Sequence, residues 1–374
     1  MSAHDTRDRR STARIPLTPR VATPAAATSG AAAPDVAALV RGRRSRARRR
    51  TTVTGILVAA VVAAFVITLM VGNTFYTPDQ VMRVLLGQTV PGASFTIGEL
   101  RLPRASLGLL AGLAFGMAGV TFQTMLRNPL ASPDIIGISS GASAFAVVAI
   151  VGFSLSDAAV SAFALVGALG TAGAIYLLSR RGAFTGTRLV LIGIGVAAML
   201  DSVTTWMLTR AANWDLQTAM QWLTGSLNNA SWGRLLPLAI AVVVIVPLMA
   251  ANTRGLAVLR LGDDSAAGLG VRVERTRLLL IVGAVVLLAV ATAASGPIAF
   301  VAFMAGPIAA RLIGPGGSLL LPAGLVGALL VMVSDLVGQF AFDNRYPVGV
   351  ITGVLGAPYL IYLLIRTNRS GGSL

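Results

Sequence analysis

The sequence contains no cysteine and no lysine, and its one histidine, His4, lies close to the N-terminus. Without cysteine the chain can form neither disulfides nor thiolate metal sites. The rest of the chain has no histidine that could serve as a haem ligand, proton relay or catalytic base. Without lysine there is no phosphate-binding loop of the G-x-x-x-x-G-K-S/T type, so any ATP chemistry must come from another chain. A Ser-His-Asp set and clustered carboxylates are also absent, so no catalytic residue is predicted.

Charged residues are scarce as well. Of the 374 residues only 12% are charged, whereas 55% are hydrophobic, and the mean hydropathy is +0.79. A soluble domain of this size needs far more polar surface. The long apolar runs must therefore face lipid or one another inside a bilayer, which predicts an all-α polytopic membrane protein.

Ten apolar windows have the length or composition of membrane spans. The first is about 20 residues long, which exceeds the apolar region of a typical signal peptide, so it is interpreted as a retained helix. The eighth is short and contains Pro297 and Pro307, which predicts a broken helix. The windows are 53–72, 104–126, 135–153, 158–179, 188–208, 233–251, 277–296, 298–313, 319–341 and 348–366.

The N-terminal tail carries much of the positive charge. All 30 basic residues are arginine, and 12 of them fall in residues 1–50, ending in the run 41–50. Its Ala-, Pro-, Ser- and Arg-rich composition predicts disorder over residues 1–50, before a transmembrane domain at 51–369 and a short tail at 370–374. The basic run suits nucleic-acid or anionic-lipid binding, or a topology determinant. The last interpretation is favoured because the run adjoins a span, so no nucleic-acid partner is expected.

Arginine placement also predicts the orientation. With the tail inside, the ends of the even-numbered spans are basic and cytoplasmic, and the even count puts both termini in the cytoplasm. The arginines near these ends are Arg127, Arg180, Arg181, Arg254, Arg260, Arg311, Arg366 and Arg369.

Three short segments between spans have distinct local signals. Residues 77–86 predict a short amphipathic helix that opens with proline. Pro129 and Pro133 end the second span in a shaped loop. In residues 261–270 the acids at 263 and 264 favour a helix N-terminus, and later glycines would end that helix. This segment suits either an interfacial connector or a helix that receives force from a soluble motor. The glycines of the spans suit close helix packing or a wide solute path.

Nine motifs in this order resemble one family, the permeases for iron siderophores, haem and vitamin B12 in type II ABC importers. The resemblance covers residues 55–368. The motifs are Arg101-Leu-Pro-Arg104, Arg127-Asn-Pro-Leu-Ala131, Ile136-Gly-Ile-Ser-Ser-Gly-Ala142, Trp222-Leu-Thr-Gly-Ser226, Leu261-Gly-Asp-Asp-Ser-Ala266 with Leu269-Gly270, Gly296-Pro-Ile-Ala-Phe-Val301, Leu320-Leu-Pro322, Pro347-Val-Gly349 and Gly356-Ala-Pro358.

The resemblance implies a fold of ten transmembrane helices in the plasma (inner) membrane. It implies a second permease subunit, identical or homologous, two ATPase subunits and an extracytoplasmic substrate-binding protein as partners. ATP and Mg²⁺ would be bound by the ATPase, so no cofactor is expected on this chain. The cargo it implies is a ferric siderophore, the commonest in the family, with vitamin B12 and haem as alternatives.

The resemblance also assigns roles to residues. Arg101, Arg104 and Arg345 would dock the binding protein, although Gln339 replaces an arginine that many relatives have. Asn128, Leu130 and Thr187 would lie near the inner gate. The coupling helix of this chain, which would seat in a groove on the ATPase, would include Leu261, Gly262, Asp263, Asp264, Ala266, Leu269 and Gly270.

Two acids, Asp201 and Asp335, lie within the predicted spans, and neither has an obvious partner in the sequence. Buried acids in a membrane are costly and usually functional. Asp201 would line the pathway, or it would accept hydrogen bonds from Thr204 or Thr205 one turn away. An ion-driven carrier is the rival function, because such carriers place paired ionisable groups at mid-membrane.

Overall fold

The computed structural model describes residues 36–133, 137–179, 186–259, 262–314 and 317–369. In these residues the chain is helical, without strands. It divides into two compact units, Met1–Ser45 and Arg46–Leu374, and the described part of the first is the start of helix α1. The helices are α1 Val36–Met70, α2 Pro78–Leu85, α3 Ala93–Phe95, α4 Leu102–Met125, α5 Ile138–Val147, α6 Asp157–Ser179, α7 Gly186–Thr209, α8 Asn213–Leu223, α9 Trp232–Ala251, α10 Thr253–Leu259, α11 Asp263–Gly268, α12 Val273–Ser295, α13 Val301–Ile313, α14 Leu320–Phe340 and α15 Val348–Arg369.

Every predicted span corresponds to an apolar helix. Among the described residues, eight helices are long and apolar enough to cross a membrane, one of them formed by α3, a π-helical turn and α4 together. The third and eighth windows correspond to shorter apolar helices, Ile138–Gly152 and Val301–Ile313. The second of these contains Pro307, as the predicted break requires. The chain is therefore an all-α, multi-pass membrane protein.

Helix α1 begins earlier than the sequence suggested. Residues 36–50 were predicted to be disordered, but they continue the first span as one helix from Val36 to Met70. Alanine and arginine both have high helix propensity, and a formed span removes the cost of nucleating the preceding turns. The rest of the predicted tail, residues 1–35, and the C-terminal residues 370–374 lie outside the described residues.

Helix α4 is the most deeply buried span, and it meets α14 through glycines. A Cβ atom built on Gly112 would lie 2.5 Å from Cα of Ala328 and 2.5 Å from the carbonyl oxygen of Gly327. From the other side, a Cβ on Gly327 would collide with the carbonyl oxygen of Gly112. The two backbones are thus in direct contact, which confirms close packing for this stretch of glycines.

The segment between the first two spans folds as its sequence indicated. The hydroxyl of Thr77 accepts the N–H of Gln80, and the Gln80 side chain accepts the N–H of Thr77, with Pro78 in the first turn of α2. This capping box satisfies two N–H groups that the helix start leaves without partners. Val81 is buried beside Tyr76 in a small separate core, so α2 packs onto the end of α1.

Replacement of Gly112 by alanine tests the contact between α4 and α14. The added methyl group must push two backbones apart, and we expect a loss of about 1–3 kcal/mol. The measurement is the apparent melting temperature of the purified protein in detergent. Gly170→Ala is the matched control, because a Cβ atom at Gly170 on α6 has no atom within 4 Å. Equal melting temperatures for the two variants would contradict the contact.

Candidate functional site

A buried ion pair joins α4 to α14 near one end of the molecule. Arg104 donates from Nε to Oδ2 of Asp335 at 2.9 Å and from Nη2 to Oδ1 at 2.8 Å. The side chains are 18% and 5% exposed. This bidentate geometry is the strongest form of an arginine–carboxylate contact. Asp335, for which the sequence showed no obvious partner, is therefore paired with an arginine 231 positions away in the sequence.

Two amide side chains form further hydrogen bonds with this ion pair. Gln339, one turn after Asp335 on α14, donates from Nε2 to Oδ2 at 2.7 Å. The side-chain oxygen of Asn228 accepts from Nη2 of Arg104 at 3.0 Å. Neither amide was singled out for this role, and only the folded chain brings Asn228 to this point. The glutamine that replaces an arginine at position 339 thus supports the acid instead of adding a positive charge.

Arg101 closes the carboxyl end of α1. Its Nη1 donates to the carbonyl oxygens of Leu69 at 2.9 Å and Met70 at 2.8 Å, and its Nη2 donates to that of Thr74 at 2.5 Å. The guanidinium carbon lies 4.8 Å from the centre of the Tyr76 ring. The last carbonyls of a helix have no partner within the helix and carry partial negative charge, so a cation stabilises them. Arg101 is therefore a structural cap, whatever else it contacts.

The third predicted docking arginine, Arg345, is more accessible to a partner than Arg101 and Arg104. Arg345 is exposed and donates from Nη2 to the side-chain oxygen of Asn73 at 2.8 Å. Arg345, Arg101 and Arg104 all line one open cavity of about 300 Å³, the arginine cavity, together with Asn228 and Gln339. The structure thus brings together the three arginines that the sequence analysis assigned to docking. Whether they dock a partner stays a prediction.

Three of the recognised motifs meet at one backbone junction on the same end. A Cβ atom on Gly225 would lie 2.6 Å from the carbonyl oxygen of Pro297, and one on Gly296 would lie 2.5 Å from that of Trp222. Gly349 donates its N–H to the carbonyl oxygen of Gly225 at 3.1 Å. Gly225 and Gly296 have φ values of 72°. Glycine is needed here because the backbones touch and two residues adopt left-handed φ. The ends of α8 and α12 and the start of α15 are held together as a result.

A polar cavity of about 320 Å³ lies beside this junction. An ion pair closes one side of it, because Arg234 on α9 donates to Asp157 at the start of α6 over 2.7 Å. Trp214 and Trp222 of α8 contribute aromatic surface, and Asn228 lines both this cavity and the arginine cavity. The same end of the molecule therefore presents two adjoining polar depressions.

The opposite end of α4 leads into residues 126–133, called the gate loop because the inner gate is predicted there. The side-chain oxygen of Asn128 accepts the N–H of Leu130 at 2.8 Å, which forms a tight turn after the helix. The Leu130 side chain packs against Phe303, Met304 and Leu363 of α13 and α15. Asn128 also lines a mainly apolar cavity of about 390 Å³ between α4 and α13. Asn128 and Leu130 therefore lie where three spans meet.

This gate loop is linked to the segment predicted to couple. Arg127 donates from Nη2 to the carbonyl oxygen of Leu259, the last residue of α10, at 3.2 Å. Gly262 then precedes α11, and Gly270 with φ 81° follows it. The short helix with acids at its start and glycine at its end is as predicted. Arg127 thus joins the end of α4 to the approach of α11, a connection that the sequence did not reveal.

The segment around α11 has both buried and exposed side chains. Ala266 is fully buried, whereas Asp264 and Leu269 are exposed, Leu269 at 64%. Leu261 lies outside the described residues, and Asp263 opens the helix. With an exposed acid at its start and an exposed leucine just after its end, α11 presents a surface that a partner groove could receive. The coupling role of these residues stays a prediction.

The two remaining residues predicted for the gate and the pathway lie on α7. Thr187 is in its first turn, and Asp201 lies in its middle and is exposed. The hydroxyl of Thr205 donates to the backbone carbonyl of Asp201, and that of Thr204 donates to the carbonyl of Leu200. The interpretation that these hydroxyls satisfy the Asp201 carboxylate is therefore wrong. α7 is the least buried of the candidate spans, so Asp201 points away from the core of this chain.

Two arginines of the basic run are part of the fold. Arg49 donates from Nη2 to the carbonyl oxygens of Arg311 at 3.4 Å and Leu312 at 3.2 Å, in the last turn of α13. Arg50 donates from Nη2 to the carbonyl oxygen of Ser318 at 2.8 Å, just before α14. From the sequence, the run was interpreted as a topology determinant, with anionic-lipid or nucleic-acid binding as alternatives, and no contact with the rest of the chain was predicted. The positions of these two arginines at the base of the first span could have suggested such a contact, but not the acceptors.

Removal of the Asp335 carboxylate tests the buried pair. We expect Asp335→Ala to lower stability by about 3 kcal/mol, because Arg104 would remain buried without its counter-ion. The measurement is the free energy of unfolding, or the apparent melting temperature, in mild detergent. Asp79→Ala breaks the exposed pair with Arg83 and should cost at most about 1 kcal/mol. A loss as small for Asp335→Ala would show that the pair contributes little.

Comparison with known proteins identifies relatives along nearly the whole chain. Residues 60–366 match the FecCD transport family. The chain is 41% identical over 315 residues to the ferric enterobactin transport system permease protein of Escherichia coli (strain K12), covering 84% of this chain and 96% of the relative. It is 40% identical over 335 residues to the achromobactin transport system permease protein of Dickeya dadantii (strain 3937), covering 88% and 96%.

The fold has a counterpart among solved structures. A metal-chelate type ABC transporter in an inward-facing conformation superposes with a TM-score of 0.73 and 26% sequence identity, covering 84% of this chain and 99% of that chain. This match confirms the predicted permease fold of type II ABC importers. With the family match over residues 60–366, it shows that the chain belongs to the FecCD transport family, as a membrane-spanning transport subunit.

Proposed function

We propose that this chain is the permease subunit of an ATP-driven importer that moves a ferric siderophore across the plasma membrane. Its partners would be a second permease subunit, two ATPase subunits that bind ATP and Mg²⁺, and an extracytoplasmic binding protein. Both termini would lie in the cytoplasm. The supporting observation is the arrangement of the two ends of α4. One end carries the arginine cavity, and the other carries the gate loop that Arg127 ties to α10, just before α11.

The arginine cavity suits acidic groups on a docking protein. Exposed charges steer association and set the register of two surfaces. Arg104 is neutralised by Asp335, and Arg101 is held by the end of α1, so neither is free to form a new ion pair. Arg345 is exposed and has one neutral partner, Asn73. Arg345 is therefore the side chain best placed to exchange its partner for a carboxylate of the binding protein.

The end that carries α11 suits the transmission of movement. A partner that seats Leu269 and Asp264 would move the backbone on either side of α11. The hydrogen bond from Arg127 to Leu259 would pass this movement to Asn128 and the gate loop. The substrate would then cross beside the exposed face of α7, where Asp201 lies. No covalent step on this chain is needed.

Charge reversal on α11 tests the importer function. In cells that lack the native gene, we expect Asp264→Arg to reduce ATP-dependent uptake of a ferric siderophore roughly tenfold or more, the effect of losing about 1.4 kcal/mol of ATPase contact. Membrane abundance of the protein should be unchanged. Glu274→Arg is the control, because Glu274 is an exposed acid in the first turn of α12 nearby.

Uptake assays in the same cells identify the cargo and the energy source. Ferric siderophores, vitamin B12 and haem are supplied separately, with and without depletion of ATP. Uptake of B12 or haem alone would replace the siderophore as cargo and keep the importer. Uptake that follows the proton gradient and not ATP would support an ion-driven carrier instead. Equal losses for Asp264→Arg and Glu274→Arg would contradict a specific role of α11.

Charge reversal at Arg345 tests docking. We expect Arg345→Glu to raise the concentration of loaded binding protein needed for half-maximal uptake roughly tenfold, because it opposes acidic groups on that protein. The melting temperature should change little, since Arg345 is exposed. Arg83→Glu on α2 is the control, because Arg83 is exposed and lies outside the arginine cavity. An unchanged dependence on the binding protein would exclude Arg345 from docking.

A further inference from the structure

The arginine run before the first span remains without a function beyond Arg49 and Arg50. Helix α1 places its residues at regular angles of about 100°. Arg48 and Arg50 are two residues apart, so they lie about 160° from each other around the helix. Arg50 bonds to Ser318 on the protein side. Arg48 therefore points to the opposite side of α1, away from the loop between α13 and α14.

The residues seven and fourteen positions later show what each side of α1 faces. Leu57 and Ala64 follow Arg50 at heptad spacing and are only 6% and 5% exposed. Gly55 and Val62 follow Arg48 at the same spacing, and both are exposed. A Cβ atom on Gly55 would have no atom within 4 Å. One side of α1 thus packs on the protein, whereas the side of Arg48 continues into an exposed apolar face.

Length places Arg48 at the depth of lipid headgroups. The 18 residues from Val53 to Met70 span about 27 Å, close to the thickness of the hydrocarbon core. Arg48 lies five residues before Val53, which corresponds to about 7.5 Å beyond that core. The headgroup layer on each side is about 5–8 Å thick. The guanidinium group of Arg48 therefore reaches the phosphate groups of the adjoining leaflet.

The charge on this side of α1 is not neutralised by the helix. No acidic residue occurs between Asp35 and Asp79. Arg48 is exposed. Within the described residues, its side chain makes no hydrogen bond or ion pair, in contrast to Arg49 and Arg50. Guanidinium groups bind phosphate oxygens through paired N–H donors.

We propose that Arg48 binds the headgroup of an anionic phospholipid, on the face of α1 opposite Arg49 and Arg50. The lipid would place its phosphate on Arg48 and its acyl chains along Gly55 and Val62. The two sides of the run thus have separate tasks. Arg49 and Arg50 hold the end of α13 and the following loop, and Arg48 holds lipid. This inference does not depend on the transported substrate.

Lipid titration of the purified full-length protein tests the proposal. Short-chain phosphatidylglycerol and phosphatidylcholine are added separately to the protein in neutral detergent, and the shift in melting temperature gives an apparent Kd. We expect phosphatidylglycerol to bind more tightly, and its affinity to fall about fivefold in Arg48→Gln. Arg48→Lys should keep most of the affinity, since the charge is retained.

Controls separate lipid from other anions and from simple charge loss. Arg83→Gln removes one exposed arginine on α2 and should leave the affinity unchanged. Inorganic phosphate and a short DNA duplex are titrated in the same way. The proposal is overturned if phosphatidylglycerol shows no preference over phosphatidylcholine, or if Arg83→Gln lowers the affinity as much as Arg48→Gln. It is also overturned if phosphate or DNA binds as tightly as the anionic lipid.

Discussion

Every helix end in or near a bilayer leaves carbonyl oxygens that water does not reliably satisfy, and in this chain arginines satisfy several of them. Arg101 closes α1, Arg49 closes α13 and Arg127 closes α10. In each case the guanidinium group comes from a different part of the sequence from the helix that it closes. The helices are therefore fixed at their ends by long-range polar contacts, while apolar side chains hold their middles. The arginines of this chain therefore bind helix ends in addition to favouring one orientation in the membrane.

Helix α4 connects the arginine contacts at one end of the molecule to those at the other. Its first residues follow Arg101 and include Arg104, and Arg127 comes just after its last turn. Between the two ends, the glycine contact with α14 brings the backbones so close that side chains cannot rearrange there. A rigid α4 would keep the arginine cavity in place while the gate loop and α11 respond to a partner at the other end. The backbone junction at Gly225, Gly296 and Gly349 restricts α8, α12 and α15 at the arginine end in the same way.

The basic run before the first span shows how one segment can carry two kinds of interaction. Successive arginines on a helix point in different directions, so a run that is continuous in sequence is divided between protein and lipid in space. Arg50 and Arg48 are the clearest example. A charge count or a topology rule treats the two arginines alike. In the structure they differ, because Arg50 donates to the carbonyl oxygen of Ser318 and Arg48 lies on the other side of the helix.

Some features could be predicted because they depend on local sequence. The ten apolar helices follow from hydropathy over windows of about 20 residues, since the bilayer itself imposes that length. The capped helix α2 and the short helix α11 follow from proline, threonine, acids and glycines within ten residues of each other. The start of α1 was misjudged, because composition that suggests disorder can still extend a helix that the adjoining span has nucleated.

The sequence by itself determined that this chain spans a membrane, how many apolar helices it contains and, through ordered motifs, the family to which it belongs. Only the tertiary structure decided what each polar residue does. It paired Asp335 with Arg104, left the Asp201 carboxylate exposed, gave Arg101 to the end of α1 and placed Arg345 on an exposed surface. The physical reason is that spans are set by the local exchange of apolar surface between water and lipid, whereas polar partners are set by which distant helices pack together.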